Sequence, residues 1–157
     1  MREAARLQSR TTHAAPACLD VCEAFSVLLR DAMLGATKHD VLDGAGRTAA
    51  EGVIGEILAG RWRARSRDDI EASGDVAHTL EASLWCVDRT QDFRSAVLLA
   101  ANLGEDADTT AAVTGQLAGA VYGMSSIQEA WLTRLALRAE LESTATALLS
   151  LRSVPPA

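Results

Sequence analysis

The segment that most constrains this chain is residues 109–128, twenty positions without a charged side chain. That length would span a bilayer. However, it holds three threonines, two serines, two glutamines and three glycines, which fit a buried helix followed by a turn better. Gly115, Gly119 and Gly123 are four apart and so share one helix face. Each interior glycine costs up to about 1 kcal/mol of helix propensity, a cost that is tolerable where a neighbouring helix backbone packs closely. The helix is therefore expected to be central and rigid, a firm mount for whatever its N-terminus holds.

The rest of the chain reads as helix too. Cys18, Val21, Cys22, Phe25, Leu28 and Leu29 recur at three- and four-residue steps. Pro16 suits the first turn of that helix and Gly35 its end. A second helix is expected from about Thr48 to Leu58. A third starts after Ser73 or Asp75 as cap, with Val76, Leu80, Leu84 and Val87 as its stripe. A fourth covers residues 93–102, with Asp92 or Thr90 at its start, and a fifth reaches Tyr122. A last, broken helix runs from near Ser126 to Ser150, ahead of a frayed tail over 153–157. No alternating run flanks the one Asp-Gly pair, Asp43–Gly44, so no hairpin competes. The expectation is a single all-α domain over residues 1–157.

Composition narrows the function classes. With 15 basic against 21 acidic side chains the net charge is −6, which is poor for nucleic-acid binding. The one basic run, "RWRARSR" at residues 61–67, reads as a solvated connection between helices. Cys18, Cys22 and Cys86 form an odd set with no zinc spacing, which suggests reduced core thiols. The N-terminal stretch has no apolar signal region, so a cytoplasmic, soluble chain away from membranes is expected.

The chemistry concentrates at "NLGEDADTTAA", residues 102–112. On a regular helix Asp106 and Asp108 would be about 200° apart. They converge if Asp106 lies in the turn and Asp108 opens the helix, with Thr109 adjacent. Two carboxylates and a hydroxyl are hard donors that suit Mg²⁺, Mn²⁺ or Ca²⁺ and not zinc or copper. Spacing alone leaves a second role open and commoner: Asp106 capping the backbone donors of Asp108 or Thr109.

The surroundings favour the metal. An S-G-x-x-x-x-T-L-E-A-x-L-W run from Ser73 is followed by a helix ending in N-L-G. Then come D-x-D-T-T-A-A, G-x-L-A-G-A-x-Y-G and a tryptophan, Trp131, in the next helix. This order and spacing resemble the C-terminal half of the ADP-ribosylglycohydrolase family. "SRTTHAAPACLDVC", from Ser9, is similar to the family's T-H-x-x-P segment. The resemblance implies an all-α, orthogonally packed helix bundle, incomplete in this chain. It implies a metal-dependent hydrolase with a two-metal Mg²⁺ or Mn²⁺ centre that releases ADP-ribose from a modified protein or small acceptor. Carried over residue by residue, it makes Asp106, Asp108 and Thr109 metal ligands. It places His13 and Gly74 at the substrate pocket; a local role for His13 beside Pro16 at the start of the helix stands next to that reading. No catalytic base is assigned.

The family's early G-D-x-x-G type segment and its S/T-x-D-D-T motif have no counterpart. "SRDDIEA" reads as a helix start, not as a replacement. Asp75 stands where the family tends to place an aromatic, Glu105 where a small or amide residue is common, and Gln128 in place of a frequent proline. Two expectations follow: a truncated hydrolase of the family, or a half-length helical interaction module or split-enzyme half. A bundle missing half its partners is also expected to expose apolar faces and self-associate.

Overall fold

The computed structural model describes residues 1–44 and 50–151, and among them all regular structure is helical. The α-helices are α1 (Arg2–Ser9), α2 (Pro16–Met33), α3 (Lys38–Gly44), α4 (Gly52–Leu58), α5 (Val76–Arg89), α6 (Phe93–Ala101), α7 (Ala107–Tyr122), α8 (Glu129–Leu132) and α9 (Arg138–Leu151). Packing divides the chain into two units, Met1–Ser126 and the part from Ile127 onward.

Local chemistry explains most boundaries in the first unit. Pro16 occupies the start of α2, where its missing N–H costs nothing. Gly35, at φ +91°, ends that helix, its N–H donating to the Ala32 carbonyl at 2.9 Å. The Asp75 carboxylate accepts from the Ala77 N–H at 2.8 Å and starts α5. Asp92 accepts from the Ser95 N–H at 2.8 Å and starts α6. These bonds to a charged acceptor hold the Asp92 carboxyl below the usual range.

Three expectations need correction. The helix expected from Thr48 is described from Gly52; Thr48 and Ala49 lie outside the described residues, as does the tail 153–157. Short helices α1 and α3 also form, α3 burying Val41 and Leu42. The basic run is not simply solvated. A 3₁₀ turn over Arg61–Ala64 sets Trp62 wholly inside the core. Arg61 forks onto Glu81, Nε to Oε1 at 2.8 Å and Nη2 to Oε2 at 2.9 Å, and Arg65 Nε lies 3.1 Å from Oε1. Glu81 is only 4% exposed, and its hydrogen bonds raise the Arg61 guanidinium above its ordinary range. Charges drawn from the solvent this far need partners, and here they have them.

Helix α7 is central, as expected, packing on α6, α5 and α2. Only one stripe of it is fully buried: Thr110, Thr114, Leu117 and Ala118. Its glycines do not meet a neighbouring backbone. A Cβ on Gly115 would lie 3.7 Å from Val97 Cγ2, and one on Gly119 3.7 Å from Phe93 Cε2, ordinary contacts with α6 side chains. Gly123 lies beyond the helix at φ +80° and terminates it. No helix among the described residues is long and apolar enough to cross a membrane.

Cys86 sits in the core and burial pushes its thiol up to about 12; Cys18 and Cys22 are half-buried on α2. In the second unit the terminal segment is broken as expected, into α8 and α9. Leu135, Leu137, Leu141, Leu148 and Leu149 are exposed there.

Candidate metal and ADP-ribose site

The α6–α7 connection builds the site. Helix α6 ends at Asn102, whose Nδ2 donates to the Leu98 carbonyl at 2.7 Å. Gly104 (φ +90°) and Glu105 (φ +53°) then turn the chain through the left-handed region, where a residue with a side chain is uncommon. Asp106 follows at the N-cap of α7. Its N–H donates to the Ala72 carbonyl at 3.0 Å, and its own carbonyl accepts from Thr110 N–H at 3.1 Å.

The Asp106 side chain does not cap the helix. Its Oδ1 accepts instead from the Thr109 hydroxyl at 2.9 Å. Its Oδ2 faces Gly74, where an added Cβ would lie only 3.3 Å away. The capping alternative is therefore corrected: Asp106 occupies the cap position but its carboxylate stays free of backbone donors. Asp106, Thr109 and Gly74 come together, and Asp108 is exposed on the first turn of α7.

His13 is exposed in the α1–α2 connection and held through its backbone. Its N–H donates to the Ser9 carbonyl at 2.7 Å, and its carbonyl accepts from Ser9 Oγ at 3.0 Å. Among the described residues no hydrogen bond joins His13 to Gly74, Asp106 or Asp108.

Two neighbours escaped the reading of the sequence. Ser73 Oγ lies 2.8 Å from His78 Nδ1, and Glu71 Oε2 lies 3.3 Å from the same nitrogen. Arg67 Nη2 donates to the carbonyls of Asn102 at 2.8 Å and Leu103 at 3.0 Å. The only signal for Arg67 was its place in the basic run, which assigns no partner. The helix start expected at "SRDDIEA" is corrected: Arg67–Asp69 make a single 3₁₀ turn with a Ser66–Asp69 capping box, and the next helix begins only at Val76.

Among the described residues no three His, Cys, Asp or Glu side chains group to hold a metal. The donors that do lie at the α7 start are two carboxylates and a hydroxyl, all hard oxygens. They are the donor type that Mg²⁺ or Mn²⁺ takes, and three of them fall short of a roughly six-oxygen shell. The buried Thr110 hydroxyl, one residue on, finds no partner among the described residues, while Thr114 one turn further donates to Ser83 Oγ at 3.2 Å.

An all-helical bundle with a D-x-D-T turn packed on an S-G loop defines a class, and comparison with known proteins agrees. The ADP-ribosylglycohydrolase family model matches residues 1–157. The chain belongs to that family. It is 39% identical to an ADP-ribosylarginine hydrolase Tri1 from Serratia proteamaculans (strain 568) and 40% identical to one from Pseudomonas putida (strain GB-1). In both cases the match covers 90% of this chain and 38% of the relative, so the chain spans well under half the length of these proteins. A match at 38% identity to the ADP-ribosyl-[dinitrogen reductase] glycohydrolase of Rhodospirillum rubrum covers 46% of this chain and 24% of that protein. A solved structure described as an ADP-ribosylglycohydrolase-related protein complex superposes with a TM-score of 0.85 at 39% identity, over 94% of this chain and 52% of its own.

Proposed function

We propose that this chain carries one side of a metal-dependent hydrolytic centre that releases ADP-ribose from a modified protein, with ADP-ribosylated arginine as the favoured linkage. The observation that carries the proposal is the meeting of Asp106, Thr109 and Gly74, two separate sequence motifs joined at one carboxylate. The arginine linkage is supported by the two Tri1 relatives, both ADP-ribosylarginine hydrolases.

Cleavage of such a glycosidic bond passes through an oxocarbenium-like state. A bound Mg²⁺ or Mn²⁺ would supply anchoring of ribose hydroxyls and a more acidic water. The chain's own part is positional. The Thr109 hydroxyl orients Asp106, Asp108 adds a second carboxylate at the same helix start, and Gly74 leaves the space a side chain would fill. His13 is proposed to contact substrate. The three unbridged thiols suit a reducing, cytoplasmic setting.

The count of three donors supports a second reading, in which the chain is a binding module or one half of a split enzyme and completes the shell only with outside ligands. Two measurements separate the readings. Mn²⁺ titration by calorimetry should give heat with the wild type and little with Asp108→Ala; equal, negligible heats would sink the metal site. Release of ADP-ribose from an ADP-ribosylarginine peptide by this chain alone, lost in Asp106→Ala, would defeat the non-catalytic reading.

A further inference from the structure

The segments at 66–74 and 102–106 meet at two places. At one, Ala72 accepts the Asp106 N–H at 3.0 Å and Gly74 lies against the Asp106 carboxylate. At the other, Arg67 bonds the Asn102 and Leu103 carbonyls. Between them stand Gly104 and Glu105, both at positive φ. A residue such as Glu105 keeps that conformation only when its surroundings hold it.

Arg67 is well built for holding. The carbonyls it takes end α6, where unpaired oxygens and the negative end of the helix dipole favour a cation. Its own backbone is fixed by the Ser66–Asp69 box: Asp69 Oδ2 accepts from the Ser66 N–H at 3.0 Å and from the Ser66 hydroxyl at 2.6 Å. Among the described residues the Arg67 guanidinium bonds carbonyls and pairs with no carboxylate. Its role is therefore mechanical and local to the turn.

We infer that Arg67 is a positioning residue for Asp106: by holding the Asn102 and Leu103 carbonyls it keeps the left-handed turn closed, so that the Asp106 amide stays on Ala72 and its carboxylate stays against Gly74. The inference rests on the reading of Asp106 as a site ligand and adds the residue that sets it in place.

Amide hydrogen exchange by NMR tests this on wild type, Arg67→Met and Arg67→Lys, with Mn²⁺ calorimetry on the same samples. Arg67 is exposed, so both variants should fold. In Arg67→Met the Asp106 amide should exchange roughly tenfold faster, the loss expected for one charge-assisted hydrogen-bond site. The amides of Thr114 and Leu117, inside α7, should keep their wild-type rates. Arg67→Lys, which retains a cation at the same carbonyls, should recover most of the protection, and Mn²⁺ affinity should follow the same order. Unchanged exchange at Asp106 overturns the inference, and so does equal acceleration along all of α7, which would mark a general loss of stability. If the wild type gives no Mn²⁺ heat, the metal reading of Asp106 fails, while the exchange data still decide whether Arg67 holds Asp106.

Discussion

Gly74 and Asp106 lie 32 positions apart in sequence, yet a methyl group on Gly74 would stand 3.3 Å from Asp106 Oδ2. That is tighter than side chains normally accept, so Gly74→Ala must move the carboxylate by a few tenths of an ångström. A shift of that size uses up much of the roughly half-ångström within which a ligand set must be held. Mn²⁺ affinity should therefore fall, by about tenfold, with the melting temperature almost unchanged. Titration calorimetry beside a thermal melt reads both; undiminished affinity in Gly74→Ala would count against Asp106 as a ligand.

Glu81 ties the connection after α4 to α5 through Arg61 and Arg65. Removing the acid leaves Arg61 with Glu56 alone, at 3.1 Å, and takes the nearby carboxylate from Arg65. Glu81→Ala should cost about 1–3 kcal/mol, because the guanidiniums left behind are partly solvated and Arg61 keeps Glu56. Arg61→Met should cost less, because Arg65 still reaches Oε1 at 3.1 Å. Urea unfolding of the two variants checks the order; a smaller loss for Glu81→Ala than for Arg61→Met would contradict it.

Gly115, inside α7, and Gly123, just past its end, should behave oppositely to one another. Gly115→Ala gains helix propensity and places its methyl at an ordinary 3.7 Å from Val97 Cγ2, so it should stabilise by up to about 1 kcal/mol. Gly123 sits at φ +80° and ψ 162°, a region almost confined to glycine, so Gly123→Ala should destabilise by about 1–3 kcal/mol. Chemical denaturation of the pair decides this. A loss at Gly115 would mean that α6 packs on α7 too tightly for a methyl.

Acid sensitivity should trace in part to Asp92. Its folded-state value is depressed, first by the Ser95 backbone N–H and then by the Ser95 hydroxyl. A depressed carboxyl contributes stability above its unfolded value, about 3.9, and loses it as pH falls through the lower folded value. The stability difference between wild type and Asp92→Ala should thus be constant from neutral pH down to about 5 and shrink below about 4. Denaturation curves across that range test it; a difference that widens on acidification would reverse the sign.

Much of the fold could be read from local pattern. Pro16, Gly35, Asp75 and Asp92 act at their own helix ends, within a few residues of their partners, so their roles follow from spacing. The D-x-D-T and S-G motifs could be read too, through their order along the chain. What spacing could not settle was whether Asp106 caps or stays free. The answer depends on the Thr109 hydroxyl, which takes Asp106 Oδ1, and on the Ala72 carbonyl 34 positions earlier, which holds the Asp106 backbone N–H.

The reading failed where charge and glycine act at a distance. "RWRARSR" looked solvated because composition says nothing of Glu81, 20 residues beyond Arg61. The α7 glycines suggested a close backbone, and α6 brought side chains instead. Helix type, caps and motif order are set by interactions within a few residues, and a linear pattern contains those. The Asp106–Gly74 contact, the Arg67 clamp and the Glu81 fork span 20 to 36 positions. They exist only because tertiary packing sets the 61–74 connection against α5 on one side and the α6–α7 turn on the other.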